Sequence, residues 1–352
     1  MTRRCRRFQY RQACTQKTGR RPTFCNRGRK AMRQTIALLG AALLAALLLT
    51  APTQAAEKIS IGIIGGPAAG AWPWAIAEEE GFFKQAGLEP EFIYVPSAPG
   101  LMQQLVAGSL DVVGLDGVVE AVHADAAGAK VGVLRMINGT TPYEFDAQPS
   151  IKSVKDLKGQ KICLGGTIDI TRVYVEQIMK ANGLTDSDVS FIIVPNTAQR
   201  LAALKSGTVA ATMLLPPFSL IADKAGFHNI ASVRDTAGDI PFAGAFTTFA
   251  WANAHQEAAK TLIHVLDQAI AWFNDHRNES IDIMVKVSHA PRDLATESYD
   301  LERKIEVMPK SDVVSRGGLA DLIAAMRSIG DLRNETVTPS QLIIPGVTQA
   351  GS

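Results

Sequence analysis

Ile59 to Ile64 is a short, uncharged run rich in β-branched residues, as expected of a strand buried on both faces. A glycine loop follows, Gly65-Gly66-Pro67 with Gly70, and Trp72 to Glu80 reads as a short helix that Gly81 stops. Gly87-Leu88 turns the chain into a strand over Glu91 to Val95. Pro96 to Gly100 is a loop, and Leu101 to Ala107 is a helix closed by Gly108. Leu110 to Leu115 is a strand ending at Asp116-Gly117, Val118 to Ala127 a helix, and Val131 to Ile137 a further strand. Strands that alternate with helices predict an α/β fold with a mostly parallel sheet covered on both faces.

From Asp156 the order returns. Lys158-Gly159 makes a turn, Lys161 to Leu164 a strand, and Gly165-Gly166 a loop whose missing Cβ atoms let a ligand come close. Thr167 or Asp169 caps the next helix, on which Ile170, Val173, Tyr174 and Ile178 share one apolar face. Asn182-Gly183 ends it. A strand over Ser190 to Val194, a loop over Pro195 to Thr197, a helix over Gln199 to Lys205 and a strand over Thr208 to Leu214 complete the round. Landmarks pair between the two stretches: Gly66 with Gly166 at an offset of 100, Gly87 with Gly183 at 96, Gly108 with Gly207 at 99. Two loosely repeated lobes account for this better than one continuous sheet. Ligands of open α/β sheets sit beyond the carboxyl ends of strands. The expected cleft therefore lies between Gly65–Trp72, Pro96–Pro99 and Asp116-Gly117 on one side, and Gly165–Asp169, Pro195–Thr197 and Leu215-Pro216-Pro217 on the other.

No third round begins after about Phe242. Phe242 to Trp251 reads as a return strand, and Ala258, Leu262, Leu266, Ala269, Ile270 and Phe273 lie on one face of a long helix. Two more helices are expected, around Ala295 to Glu306 and Leu319 to Ile329. The expected division is residues 57–143 with 245–352 as the first lobe and 144–244 as the second. The chain then crosses between lobes twice, near 140–149 and near 238–247.

The front of the chain differs in composition. Residues 1–35 hold twelve Lys or Arg and no acid, Ile36 to Leu49 is an apolar run of fourteen residues, and Thr53-Gln54-Ala55-Ala56 has small residues at a cleavage spacing. That order predicts a leader over residues 1–56 containing an export signal, cut after Ala55 or Ala56, and a periplasmic protein. The run is short for a membrane span, although an uncleaved anchor is the other reading. Met32 is an alternative start, since Met32-Arg33-Gln34 already supplies the charged beginning. The full chain carries 36 basic and 34 acidic side chains. Without the leader, 24 basic face 34 acidic, a net of −10, so the basic balance belongs to the leader and predicts no nucleic-acid partner. Cys5, Cys14 and Cys25 also lie in the leader, leaving Cys163 inside a predicted strand, where it reads as packing.

The sequence shows no sign of catalysis. No zinc spacing or disulfide framework exists, and the six histidines form no metal pair at helical spacing. No nucleophile-elbow serine occurs, and the Gly165-Gly166 loop lacks the Lys-Ser/Thr of a nucleotide loop. Glu78-Glu79-Glu80 reads as a solvated helix end. The expectation is no enzyme, no catalytic residue, no cofactor and no metal.

WPWAIAEEEGFFKQAGLEPEFIYV, then LMQQLVAGSLDVVGLD, IKSVKDLKGQKICLGG and the tail AHQEAAKTLIHVLDQAIAWFNDHRNES resemble the NMT1-like solute-binding proteins, the nitrate, sulfonate, taurine and thiamine-pyrimidine type that serves ABC importers. The resemblance covers most of residues 59–285. It implies a two-lobe periplasmic-binding-protein fold, type II-like, with two crossovers. It also implies a monomer that closes on a small molecule and docks on a membrane permease. The implied solute is a sulfonate, taurine, nitrate, pyrimidine or aromatic acid. Some relatives are enzymes that make the thiamine pyrimidine from a cysteine-rich motif and a histidine; here no cysteine cluster exists outside the leader. A ligand-sensing subunit for a receptor is a further alternative.

In this family the two glycine loops usually hold ligand, here Gly65, Gly66 and Trp72 in the first and Gly166 and Thr167 in the second. Trp72 either stacks on ligand or belongs to the core. Tyr143, at the first crossover, lines the hinge side of the cleft. Arg172 either clamps an anionic group or pairs with Asp169. Asp116 either takes a ligand amine or hydroxyl, or caps the helix from Val118. Ser97, Asn196 and Thr247 are polar loop candidates. Arg172 favours an anion, whereas Asp116 and Asp169 favour a polar or amine-bearing molecule, so the ligand stays open.

Overall fold

The computed structural model describes residues 56–64, 71–238, 240–311, 313–332 and 336–351. The first round of the repeat forms strands β1 (Glu57–Ile64), β2 (Leu88–Val95), β3 (Val112–Gly117) and β4 (Val131–Asn138). β1 pairs in parallel with both β2 and β3. The second round forms β5 (Glu144–Ala147), β6 (Lys161–Leu164), β7 (Ser190–Ile193), β8 (Ala211–Leu214) and β9 (His228–Asn229), with β6 parallel to β7 and β8. β10 (Ala243–Thr248) then returns to the first sheet. The two five-stranded sheets have the same order, β2-β1-β3-β10-β4 and β7-β6-β8-β5-β9.

Each sheet is parallel except for its fourth strand. β10 runs antiparallel to β3 and β4, and β5 antiparallel to β8 and β9. In both cases the antiparallel strand is the one on which the chain arrives from the other sheet. The fold is thus the two-lobe α/β arrangement with two crossovers, and the repeat extends to strand order. The return strand is shorter than expected. It stops at Thr248, whose side chain accepts the Trp251 N–H and caps a new helix.

The helices are α1 (Trp72–Glu79), α2 (Phe82–Gln85), α3 (Ala98–Val106), α4 (Val118–Ala126), α5 (Ile170–Ala181), α6 (Thr197–Lys205) and α7 (Phe218–Lys224). They continue as α8 (Val233–Ala237), α9 (Phe249–Ala254), α10 (Gln256–Asp275), α11 (Arg277–Ser288), α12 (Arg292–Lys304) and α13 (Arg316–Ser328). The apolar face of α10 buries Leu262, Leu266, Ala269 and Phe273 against Ile59, Ile61, Trp72 and Trp74 of the first lobe. A second cluster runs without a break from Val113 and Val133 through Tyr143 and Phe145 to Ile162 and Val173, and on to Leu319, Leu322 and Met326 of α13. The tail therefore touches both sheets: α13 packs on α5, and α12 meets α7. Lys224 of α7 lies 2.7 Å from Glu297 and 4.0 Å from Asp293.

Candidate functional site

The carboxyl ends of the parallel strands in both sheets open onto one cleft of about 780 Å³. The first sheet contributes Ile64, Leu115, Asp116 and Asn138, and the second Asp169, Leu215 and the Pro195–Arg200 turn. The crossovers supply Tyr143 and Phe242, whose rings meet edge-on at 5.4 Å. Tyr94 and Phe218 add two more aromatic walls.

Arg200 is the basic residue of this lining, and it is buried. Its Nε donates to the Met213 carbonyl, Nη1 to those of Val194 and Pro195, and Nη2 to the Tyr143 and Thr197 hydroxyls. Every N–H of the guanidinium is thereby engaged. Arg200 ties the β7–α6 turn to β8 and to the first crossover, and has no donor left for a ligand.

Three carboxyl groups line the same space. Asp116 follows the last apolar residue of β3. Its Oδ1 accepts the Gly117 N–H at 2.8 Å, and its buried Oδ2 has no partner among the described residues. Glu120, one turn into α4, lies over Gly117, where an added Cβ would come within 2.5 Å of Glu120 Oε2; that oxygen too is buried and unpartnered. Asp169 caps α5, accepting the N–H groups of Thr171 at 2.9 Å and Arg172 at 3.4 Å. Its other oxygen lies against Gly165, where a Cβ would collide with it. Glu120 and Asp169 are each accommodated by a glycine. Asn138, at the end of β4, is fully buried in the cleft wall, and among the described residues neither its amide nitrogen nor its oxygen has a partner. Burial holds the Asp116 and Glu120 carboxyls well above the usual range. Negative charge elsewhere in the cleft pushes the same way, from Asp169 on Asp116 and from Asp116 and Asp169 on Glu120. Asp169 is raised by burial and pulled back by Thr171 and Arg200.

The expected ligand residues divide. Asp116, Tyr143 and Asn196 line the cleft, although the Asn196 side chain also caps α6 by accepting the Gln199 N–H at 3.2 Å. Asp116 does not cap α4, whose first position is Gly117 with no side-chain cap. Gly65 and Gly66 lie outside the described residues. Trp72 is corrected to a core residue: it is fully buried, 5.3 Å from the Phe273 ring and 5.9 Å from that of Tyr299. Its large apolar surface is satisfied there, away from the cleft. Arg172 is corrected as well. Its guanidinium pairs with Glu176 and, at 3.1 Å, with Asp186, so its side chain neither lines the cleft nor reaches Asp169. Thr247 is buried in β10 and donates to the Asp111 carbonyl at 2.6 Å. Ser97, Gly166 and Thr167 are not among the cleft-lining residues; Ser97 occupies the first position of α3, and the other two flank Asp169.

Glu120, Asn138 and Arg200 escaped the sequence reading. Asn138 had a signal, a polar residue ending an apolar strand at the mouth of an α/β sheet. Glu120 sits one helical turn beyond Asp116, a weaker sign.

The family model described as "NMT1/THI5 like" matches residues 71–280, more than half of the chain. The chain belongs to the NMT1/THI5-like family. Among curated relatives of this NMT1/THI5-like protein, it is 24% identical over 223 residues to one bearing the name of a binding protein, YtlA of Bacillus subtilis (strain 168). That match covers 61% of this chain and 66% of the relative. Among solved structures, the periplasmic aliphatic sulphonate binding protein SsuA of Escherichia coli superposes with a TM-score of 0.68 at 18% identity, covering 83% of this chain and 99% of that one. The alkanesulfonate-binding protein SsuA of Xanthomonas axonopodis pv. citri, bound to MOPS, superposes with a TM-score of 0.68 at 17% identity, covering 84% and 99%. At these identities the NMT1/THI5-like chain shares their fold; the cleft chemistry is read from its own residues.

Proposed function

We propose that this protein is the periplasmic substrate-binding component of an ABC importer, which captures a small solute between its lobes and delivers it unchanged to a permease. The single observation behind this reading is the cleft, lined from both sheets and flanked by both crossovers. The names of the relatives point the same way, being those of binding proteins. A solute that touches both lobes only when they are closed shifts the open–closed equilibrium. Turning a mostly open population into a mostly closed one requires a differential affinity of roughly 5.5 kcal/mol. Unpartnered polar atoms and four aromatic walls are suitable sources of it.

The test heats purified mature protein with sulfonates, nitrate, aromatic acids, pyrimidines and amines in turn. One class is expected to give a saturable rise in Tm, worth about 2.7 kcal/mol at a hundredfold excess over Kd. The same class should reduce the radius of gyration in solution scattering. Turnover of any bound compound would contradict the reading.

A further inference from the structure

We propose that the solute binds as a cation, an amine- or amidine-bearing molecule whose charged end sits between Asp116 and Glu120 of the first lobe and Asp169 of the second, with Asn138 holding a neighbouring polar group. This inference rests on the binding reading above and names the substrate class of the same cleft. Its ground is the inventory of atoms left over. Among the described residues, Asp116 Oδ2 and Glu120 Oε2 are buried and accept nothing. Asn138 belongs to the cleft wall and is fully buried, and among the described residues both its donor and its acceptor lack partners. A buried polar group left without a partner is costly, so these atoms mark where a ligand's own polar groups belong.

Among the described residues, no basic side chain of the lining has a donor to spare for an anion. Arg200, the one basic residue of the lining, has every N–H engaged by carbonyl and hydroxyl oxygens of the protein. Arg172 is paired outside the cleft. Residues 65–70, Gly-Gly-Pro-Ala-Ala-Gly, contain no ionisable side chain. Tyr94, Phe218 and Phe242 supply aromatic rings along the lining for the body of a flat cation.

The arrangement also couples charge to closure. Asp116 and Glu120 repel Asp169 across the cleft once ionised, and a cation between them turns that repulsion into attraction. In the free protein, burial disfavours the ionised forms of Asp116 and Glu120. The groups facing them are Asp169, the Arg200 guanidinium, the Tyr143 hydroxyl and, behind Glu120, Asp331 with its partner His123. An arriving cation lowers the carboxyl pKa, so a proton leaves to solvent as the positive charge enters. Affinity must then rise with pH until the carboxyls are ionised in the free protein.

The test is titration calorimetry of the mature protein with benzamidine, benzylamine, benzenesulfonate and nitrate, at pH 5.5, 7 and 8.5, in two buffers of different ionisation heat. Saturable binding of the amidine or amine, tighter at higher pH and with proton release, is expected. E120Q and D169N should weaken it roughly 30-fold or more, as for truncation of a buried charge partner, and flatten its pH dependence. Binding of benzenesulfonate or nitrate, with no response to benzamidine or benzylamine, overturns the cation and leaves the binding function standing. No heat and no thermal shift with any compound overturns both.

Discussion

Glu302 shows what burial does to a single acidic side chain. It lies on α12 in the first-lobe core, with 1% of its surface exposed and neither oxygen in a hydrogen bond. Burial pushes its pKa from 4.5 to about 8, offset in part by the nearby Trp72 indole. Between those values the unfolded chain releases the proton while the folded one keeps it, so stability falls as pH rises and levels off above about 8. E302Q is expected to flatten this dependence and to gain most over wild type at alkaline pH, by at most about 1.4 kcal/mol per pH unit crossed. Denaturant melts at pH 5 and pH 9 decide it: an equal difference at both would contradict the assignment. At this scale the sequence was only partly legible. Trp72 follows a glycine loop, which suggests a ligand contact, but an indole that packs on Phe273 and Tyr299 is better placed in a core. Arg172 could be read as a clamp because Glu176 and Asp186 become its partners only once α5 is formed.

Gly165 and Gly117 act at the scale of the element, because each lets the helix after it carry an acid back over its own first turn. In G165A the new methyl group occupies the place of the Asp169 carboxyl, which must swing away and release the Thr171 and Arg172 N–H groups. Overpacking and the lost cap together should destabilise the protein by about 1–3 kcal/mol and weaken ligand binding. Chemical denaturation and calorimetry on the same variant measure the two effects. An unchanged midpoint would mean that the loop has room to spare. Elements were legible where local signals agree, as with the β6 strand and the α5 helix, whose ends match the expected ones. β5 and β9 were missed because Glu144–Ala147 and His228–Asn229 are too short to show a period. α11 was missed because only Ile281, Ile283 and Met284 mark its apolar side.

Across the whole molecule, the shared strand order of the two sheets was foreshadowed by the paired glycines, whereas the antiparallel fourth strand was not. Its place depends on contacts remote in sequence. One surface contact links the lobes away from the cleft, where Lys224 of α7 faces Glu297 and Asp293 of α12. K224A should favour the open form, giving a larger radius of gyration without ligand and weaker binding whose pH profile keeps its shape. High salt should mimic it in the wild-type protein. Identical scattering curves for variant and wild type would remove this contact from the closing motion. The position of β10 between β3 and β4 bears on the order of assembly. The second sheet is drawn from one uninterrupted segment, whereas β4 gains its neighbour only from the return strand, more than a hundred residues later in the chain. The sheet that the chain begins first is therefore the one that receives its last strand later.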